Sequence, residues 1–395
     1  MKKQRIFISM QYMEIGGAER SLLGLLNAID YTRYEVDLFV YRHTGEFMSF
    51  IPTQVNLLPE IHAYTALARP MWQILKERYW GIFVGRLWAK FKANKFSLKI
   101  KDGVENYTAF HYIGEYTIPF LPYINPEVTY DLAISFLTPH HIVRDKVNAK
   151  KKIAWIHTDY SSIGIDVNSE EEIWGGFDYI ASISENVTEG FLKRFPNLDS
   201  KIILIENILS AEFVRQQAEL ESIRYEGKIN LLTVGRFCYP KALDNAVRIC
   251  KQLVDKGLPI KWYAIGYGDE ETVRKAITEC GMENHFQILG KKSNPYPYIK
   301  ACDFYIQPSR YEGKAVTVRE AQMLCKPVII TAFPTAKSQL HDGVDGIIVP
   351  LDIEKAANEI HTFLLDRKKQ EQLILNMHST DYGNVSEVMK IYNLL

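Results

Sequence analysis

The chain of 395 residues has little of what would mark a secreted, membrane-spanning or nucleic-acid-binding protein. Its five cysteines, Cys238, Cys250, Cys280, Cys302 and Cys325, are odd in number, lack C-x-x-C spacing and all fall in the second half. That argues against a disulfide framework or a redox or metal use, and for buried thiols in a reducing compartment. Charge of one sign is also missing: 47 Lys and Arg face 47 Asp and Glu. A dedicated nucleic-acid binder needs a basic excess to neutralise the phosphate backbone, so none is expected as a partner, although a local patch stays open. No stretch approaches the roughly 20 apolar residues that span a bilayer. The best candidate, Tyr79 to Gly85, is cut off by Arg78 and Arg86. Met-Lys-Lys-Gln-Arg at the N-terminus mimics a signal peptide, but the apolar run after it is short and Glu14 soon interrupts it. The expectation is a cytoplasmic protein that touches a membrane only from its surface.

What is present is a globular pattern. Hydrophobic residues make up 47% of the chain, and at this length folding hides roughly three quarters of the unfolded surface, enough for large cores without staples. Apolar runs of strand length alternate with stretches of helical period. In the second half, 229–234, 260–265, 286–289, 304–307, 327–331 and 347–349 read as buried strands, with Leu243, Val247, Cys250 and Val254 marking a helix between the first two. In the first half, 5–9, 35–41, 131–136, 153–156, 179–182 and 202–205 read as strands, and Leu22, Leu25, Leu26 and Ile29 share a helix face. Strand-helix alternation predicts parallel sheets covered on both faces. The halves meet near Asn207 and each is close to neutral, with 23 basic and 24 acidic residues before the junction and 24 and 23 after it.

Residues 69–101 interrupt the first half. They carry nine Lys or Arg against one acid, Glu77, and three of the six tryptophans, Trp72, Trp80 and Trp88. Cations such as Lys90 and Lys92 among these rings suit a helix lying on an anionic membrane surface, where rings insert and cations snorkel outward. A helical insertion packing its aromatic face on its own domain, and a nucleic-acid surface, are the competing readings.

Three constellations carry chemistry. Gly16-Gly17-Ala18-Glu19-Arg20 follows a strand and opens a helix, so unbonded N–H groups and the positive dipole end form an anion site, unless the pair is a plain tight turn. Gly235-Arg236, with Lys241 five residues on, sets two cations after a strand, placed for a diphosphate or simply solvated at a helix start. In Ser309 to Ala321, Glu312 lies in a loop after a strand and Glu320 about two turns into the next helix. Between them the stretch from Lys314 to Ala315 offers backbone donors at the helix start. The carboxylates would accept hydrogen bonds from sugar hydroxyls, or would be one capping acid and one solvated acid.

The order G-G-A-E-R, G-R with its later lysine, E-x7-E, Pro327-Val328-Ile329 and His341-Asp342-Gly343-Val344-Asp345-Gly346 resembles the retaining family 4 glycosyltransferases. Ala154-Trp155-Ile156-His157, Ile180 to Glu185, Ile205-Glu206-Asn207 and Ile265-Gly266-Tyr267-Gly268 add to it. The resemblance covers most of the chain except residues 60–125. It implies an α/β protein of GT-B fold, two Rossmann-like doubly wound domains facing across a cleft. Their expected bounds are 1–207 on the acceptor side and 208–375 for the nucleotide sugar, with 376–395 packing back on the first.

The implied activity is transfer of a sugar, with retention, from a nucleotide diphosphate sugar such as a UDP-sugar. The acceptor would be a glycan or lipid-linked molecule in surface polysaccharide synthesis, capsule or exopolysaccharide. Gly16 and Gly17 would meet the donor diphosphate through backbone, and Arg236 and Lys241 would neutralise it. Glu312, Gly313, Lys314, Ala315 and Val316 would hold the donor, with Glu312 on sugar hydroxyls, and Glu320 would bind the ribose. His157 would line the sugar and acceptor face. With no D-x-D element, no metal and no other cofactor is expected, so cations and helix dipoles would stabilise the leaving phosphate. Lys314 and Ala315 depart from the family, which has an aromatic residue or Leu and then a small residue or Pro after E-G. That leaves the donor sugar open. A non-catalytic partner subunit of the same fold and a sugar-nucleotide epimerase are the alternatives.

Overall fold

A computed structural model describes residues 3–98, 105–158, 160–161, 163–312 and 315–395. The first half carries β1 (Gln4–Met10), β2 (Tyr34–Val40), β3 (Asn56–Leu57), β4 (Glu105–Asn106), β5 (Tyr130–Ser135), β6 (Ala149–Ile156), β7 (Ile163–Gly164), β8 (Tyr179–Ser182) and β9 (Ile202–Leu204). The second half carries β10 (Ile229–Val234), β11 (Ile260–Ile265), β12 (Phe286–Gly290), β13 (Phe304–Gln307), β14 (Val328–Thr331) and β15 (Ile347–Val349). Each strand expected from an apolar run is present to within a few residues at its ends. The short β3, β4 and β7 have too few residues to show a period.

The chain divides into two compact units, Met1–Leu209 with Val385–Leu395, and Ser210–Asn384. The first holds a seven-stranded sheet in the order β3-β2-β1-β5-β6-β8-β9, plus a small β4-β7 ladder; the second holds a six-stranded sheet ordered β12-β11-β10-β13-β14-β15. All recorded strand pairs are parallel. In both main sheets the order runs backwards from the first strand and then jumps, so each is doubly wound. Its switch point lies between β1 and β5 in one and between β10 and β13 in the other.

Burial explains why these runs became central strands. Ile6, Phe7 and Ile8 of β1 are fully buried, as are Leu231 and Leu232 of β10. Polar positions in the sheets have partners. Thr233 Oγ1 donates to the Ile306 carbonyl at 2.6 Å and accepts from Trp262 Nε1 at 3.0 Å, joining three neighbouring strands. In the first unit, Tyr160, Trp174, Phe191 and Phe195 pack as an edge-to-face aromatic cluster.

The unit boundaries fall at 209/210 and 384/385, against the expected 207/208 and 375/376. Residues 376–384 stay with the second unit because Met377 is buried, Asn376 Nδ2 donates to the Val344 carbonyl at 2.8 Å and Tyr382 OH donates to Asp345 at 3.2 Å. Residues 385–395 join the first unit through contacts on three elements. Tyr392 stacks on Tyr34 at 4.3 Å and its OH accepts from the Asp30 amide at 2.7 Å; Glu387 accepts from the Glu206 amide at 2.9 Å; Lys390 donates to the Leu204 carbonyl at 2.9 Å.

Residues 69–101 fold as the helices Met71–Lys76 and Trp80–Ser97, as far as they are described. The longer helix lies against Thr108–Thr117 through small residues. A Cβ on Gly85 would stand 2.2 Å from the Tyr116 carbonyl oxygen, and Ala89 and Ala93 pack with Tyr112. No helix among the described residues is long and apolar enough to cross a membrane.

Candidate functional site

Ligands of doubly wound sheets bind outside the carboxyl ends of the strands at the switch point. In the second unit that place belongs to the loops after β10 and β13. The first carries Gly235, Arg236 and Lys241; the second carries Ser309, Arg310 and Glu312.

Glu312 is 6% exposed, yet it is fully hydrogen-bonded. Lys241 Nζ donates to Oε1 at 2.6 Å and to Oε2 at 2.8 Å. Oε1 also accepts from Ser309 Oγ at 2.6 Å and from Gln307 Nε2 at 3.0 Å. Gln307 is oriented in turn by Tyr305, whose OH donates to Gln307 Oε1 at 2.7 Å. The two loops are tied a second time by Arg310, which grips Asp244 with two hydrogen bonds of 3.0 and 2.7 Å and lies over the Tyr239 ring at 4.5 Å. Burial would raise the Asp244 carboxyl, but hydrogen bonds and charge from Arg310 and Arg248 outweigh it and hold the group below its usual range. Arg236 stands exposed at the loop tip. One strand over, Gly266 and Gly268 shape the same rim. A Cβ on Gly266 would sit 1.8 Å from the Gly235 carbonyl oxygen, and one on Gly268 would sit 2.4 Å from the Phe237 carbonyl oxygen. The close approach lets the Phe237 amide donate to the Tyr267 carbonyl at 2.7 Å, which fixes the loop bearing Arg236.

The helix after the Glu312 loop is Val316–Met323, so Glu320 is its fifth residue and lies about one turn in, not two. Ala315 is the residue preceding the first turn. Glu320 is 1% exposed and accepts from Tyr296 OH at 2.8 Å. The Ala315 amide, expected as a donor for ligand, already donates to Gln339 Oε1 at 2.9 Å. Gly313 and Lys314 lie outside the described residues.

In the first unit, helix Gly17–Ala28 begins right after Gly16, as the G-G-A-E-R run predicts. A Cβ on Gly16 would stand 2.1 Å from a Glu19 carboxylate oxygen, whereas one on Gly17 would meet open space. Glu19 therefore folds back over the helix start, and Gly17 is the residue of the pair whose backbone faces outward. His157 follows β6 with its ring against Phe136 at 4.5 Å and parallel to Trp155 at 5.9 Å. Its Nε2 is buried without a hydrogen-bond partner among the described residues, and burial pushes the imidazole down to about 3, so the ring is neutral at physiological pH. His140 is pushed down to about 3 and His111 to about 4, mainly by the same cause. Trp72, Trp80 and Trp88 are 64%, 59% and 51% exposed, whereas Tyr79, Phe83 and Phe96 of the same segment pack on the domain.

The structure thus gathers Gly235, Arg236, Lys241 and Glu312 at one sheet edge, with Val316 and Glu320 on the adjoining helix. Gln307, Ser309, Asp244, Tyr296 and Gln339 were missed from sequence. Gln307 had a legible signal: an amide closing the otherwise apolar run Phe304-Tyr305-Ile306 is an anomaly that asks for a partner. Asp244 and Gln339 had none, because their partners are 66 and 24 residues away. Among the described residues, no group of three or more His, Cys, Asp or Glu side chains is placed to hold a metal ion.

Comparison with known proteins agrees with this architecture. Residues 215–379 match the family Glycosyl transferases group 1. One similar protein is the N-acetylgalactosamine-N,N'-diacetylbacillosaminyl-diphospho-undecaprenol 4-alpha-N-acetylgalactosaminyltransferase of Campylobacter jejuni, 26% identical over 48% of this chain and 52% of its own length. Another is a putative colanic acid biosynthesis glycosyltransferase of Salmonella typhimurium, 26% identical over 31% of this chain and 32% of its own length. The matched stretches span between 38% and 52% of the length of three curated relatives that the chain matches. Among solved structures, Anabaena HepE in complex with UDP and glucose superposes with a TM-score of 0.64 at 15% identity, covering 99% of this chain and 98% of that one. The chain has the GT-B fold of two Rossmann-like domains, and its second unit carries the sequence pattern of the glycosyl transferases group 1.

Proposed function

We propose that the protein transfers a sugar from a nucleotide diphosphate sugar, a UDP-sugar, to a glycan or lipid-linked acceptor during surface polysaccharide synthesis. The observation that carries this is the Lys241–Glu312 pair at the switch point of the second sheet, inside the stretch that matches the family. HepE's bound UDP and glucose, and the diphospho-undecaprenol and colanic acid in the relatives' names, support the choice of donor and acceptor class.

In this reading Arg236 and Lys241 face the diphosphate. Breaking the bond between the sugar's anomeric carbon and the phosphate oxygen leaves negative charge on that oxygen, and fixed cations aimed at it lower the barrier. Glu312 anchors the sugar hydroxyls. Its Oε1 already accepts from Lys241, Ser309 and Gln307, which occupies that oxygen's lone pairs and makes it a poor nucleophile. That supports retention through attack on the departing side, the acceptor hydroxyl giving its proton to the leaving phosphate. Glu320, with Tyr296 on one oxygen, is assigned to the ribose. Gly313, Lys314, Ala315 and Val316 are assigned to holding the donor, and Gly16, Gly17 and His157 keep the roles the family resemblance implies. No metal enters the proposal, and the chain would work at the cytoplasmic face of the cell membrane.

The test is a panel of nucleotide sugars incubated with the protein, with and without membrane extract, following nucleotide release. Release from one donor, lost in Glu312→Ala and Lys241→Ala, supports the reading; no binding of any donor, or turnover untouched by both substitutions, overturns it.

A further inference from the structure

A surface helix usually buries one apolar stripe and shows water a polar one. Helix Trp80–Ser97 does not. Its inner face is the small-residue seam of Gly85, Ala89 and Ala93 already described, and Ile82 is 1% exposed on the same side. Its outer face is apolar as well. Trp80, Val84, Leu87, Trp88 and Phe91, with Leu98 just past the helix end, are 59%, 60%, 48%, 51%, 56% and 87% exposed. At 3.6 residues per turn the spacing 80, 84, 87, 91, 98 is a single stripe, opposite the seam.

The stripe is bordered by cations. Lys90 falls on one flank, Lys92 on the other, and Lys95 within the last turn; no Asp or Glu occurs between 80 and 97. The structure also separates these lysines from the cations that composition alone counted with them. Arg69 is neutralised by Glu77 through two hydrogen bonds of 2.6 Å, and Arg86 turns inward to the carbonyls of Ala66 and Arg69. Lys90 and Lys95 are left exposed with the rings, and Lys92 is half-buried at the stripe's other border.

We infer that this helix lies flat on an anionic lipid surface, its Trp, Phe, Leu and Val side chains among the upper acyl chains and its lysines at the headgroups. Three features select this occupant. Two copies of the face would bring lysines together with no acid to offset them. A nucleic acid would use the cations and rings but has no use for Val84, Leu87 and Leu98, and Trp88 is stacked on Phe91 at 5.5 Å rather than left open for a base. A bilayer with anionic headgroups uses every part of the pattern. The inference does not depend on the transfer reading, since binding is read without any nucleotide sugar.

The test is sedimentation of the full chain with phosphatidylcholine vesicles, with and without phosphatidylglycerol. Emission gives a second readout, because Trp155, Trp174 and Trp262 are at most 2% exposed and only Trp72, Trp80 and Trp88 meet solvent. The chain is expected to sediment with the anionic vesicles alone, with a blue shift of emission. Lys90→Glu with Lys92→Glu should weaken binding by about tenfold or more, and Trp80→Ser with Trp88→Ser by a similar factor. Both variants should keep the near-ultraviolet dichroism of the buried aromatics. Equal binding to both vesicle types, no binding to either, unaffected variants, or a self-association that Trp80→Ser and Trp88→Ser abolish in place of vesicle binding would each overturn the inference.

Discussion

The two Rossmann-like units share a strand plan and differ in what stands at the carboxyl edge of each sheet. In the second unit the edge is ionic and satisfied: Lys241, Arg310, Asp244 and Glu312 are cross-linked by short hydrogen bonds that also tie one loop to the other. In the first unit the edge after β6 is aromatic, and His157 presents a buried nitrogen with no hydrogen-bond partner among the described residues, beside Phe136 and Trp155. One plan therefore yields an edge preorganised for charge and another in which a buried imidazole stays uncharged. The difference follows from which residues follow the strands rather than from the strands themselves, because both sheets are buried on both faces and have no latitude in composition.

The largest effect should come from breaking the ionic edge. Glu312→Ala and Lys241→Ala should each lower nucleotide release by about 10²–10³-fold, the range for removing one preorganised charge contact, measured at saturating donor. Thermal stability should change by only about 2 kcal/mol for Lys241→Ala, since Ser309 and Gln307 still hold the carboxylate.

Next comes the backbone that holds the edge. Gly266→Ala would put a methyl 1.8 Å from the Gly235 carbonyl oxygen, which displaces the Arg236 loop. A stability loss of about 3 kcal/mol with loss of donor binding is expected, by denaturant titration and donor affinity. Gly281→Ala is the control: its φ of +64° is strained for alanine but nothing lies within 4 Å of the added atom, so about 1 kcal/mol and unchanged donor affinity are expected.

The buried histidines of the first unit should show themselves in acid. His111, His140 and His157 are depressed by burial from 6.5 to about 4, 3 and 3. A depressed imidazole contributes stability that is present above 6.5 and lost as pH falls toward the folded value, because the unfolded chain takes up the proton first. The first unit should therefore loosen before the second between about pH 6.5 and 4, seen as faster amide exchange around Trp155 than around Trp262. Simultaneous loosening would remove the contrast.

A smaller, opposite dependence belongs to Glu170 in the first unit. Burial raises it from 4.5 to about 7, against the opposing hydrogen bonds of Trp174 and Tyr160. A raised carboxyl favours the folded state below 4.5 and loses that advantage as pH rises through about 7. Glu170→Gln should remove this loss and raise stability at pH 8 by roughly 1–3 kcal/mol, with little change at pH 4, by thermal melts at both values.

The fold was legible in sequence because parallel strands buried on both faces are continuous apolar runs. Ile229–Val234, Ile260–Ile265 and Phe304–Gln307 start and stop where the runs do. Much of the candidate site was legible for a related reason: polar residues such as Arg236, Lys241 and Glu312 stand out against the strands they follow. The partners were not. Gln339 closing on the Ala315 amide, Asp244 holding Arg310 and Glu19 folding over Gly16 depend on loop geometry that no period encodes. Glu320 was placed a turn too deep because nothing in Lys314-Ala315-Val316 announces the helix start.

By itself the sequence determined that the chain is α/β in two near-neutral halves, and that its chemistry-bearing residues come after strands, because burial and strand ends write themselves into composition. Only the tertiary structure decided which charges are spent internally and which face outward. Composition counts Arg69, Arg86 and Lys90 alike, but Arg69 is bound to Glu77, Arg86 to backbone carbonyls, and Lys90 stands exposed beside an exposed aromatic stripe. A charge has a sign in the sequence; its partner is a matter of distance, and distance exists only in the folded chain.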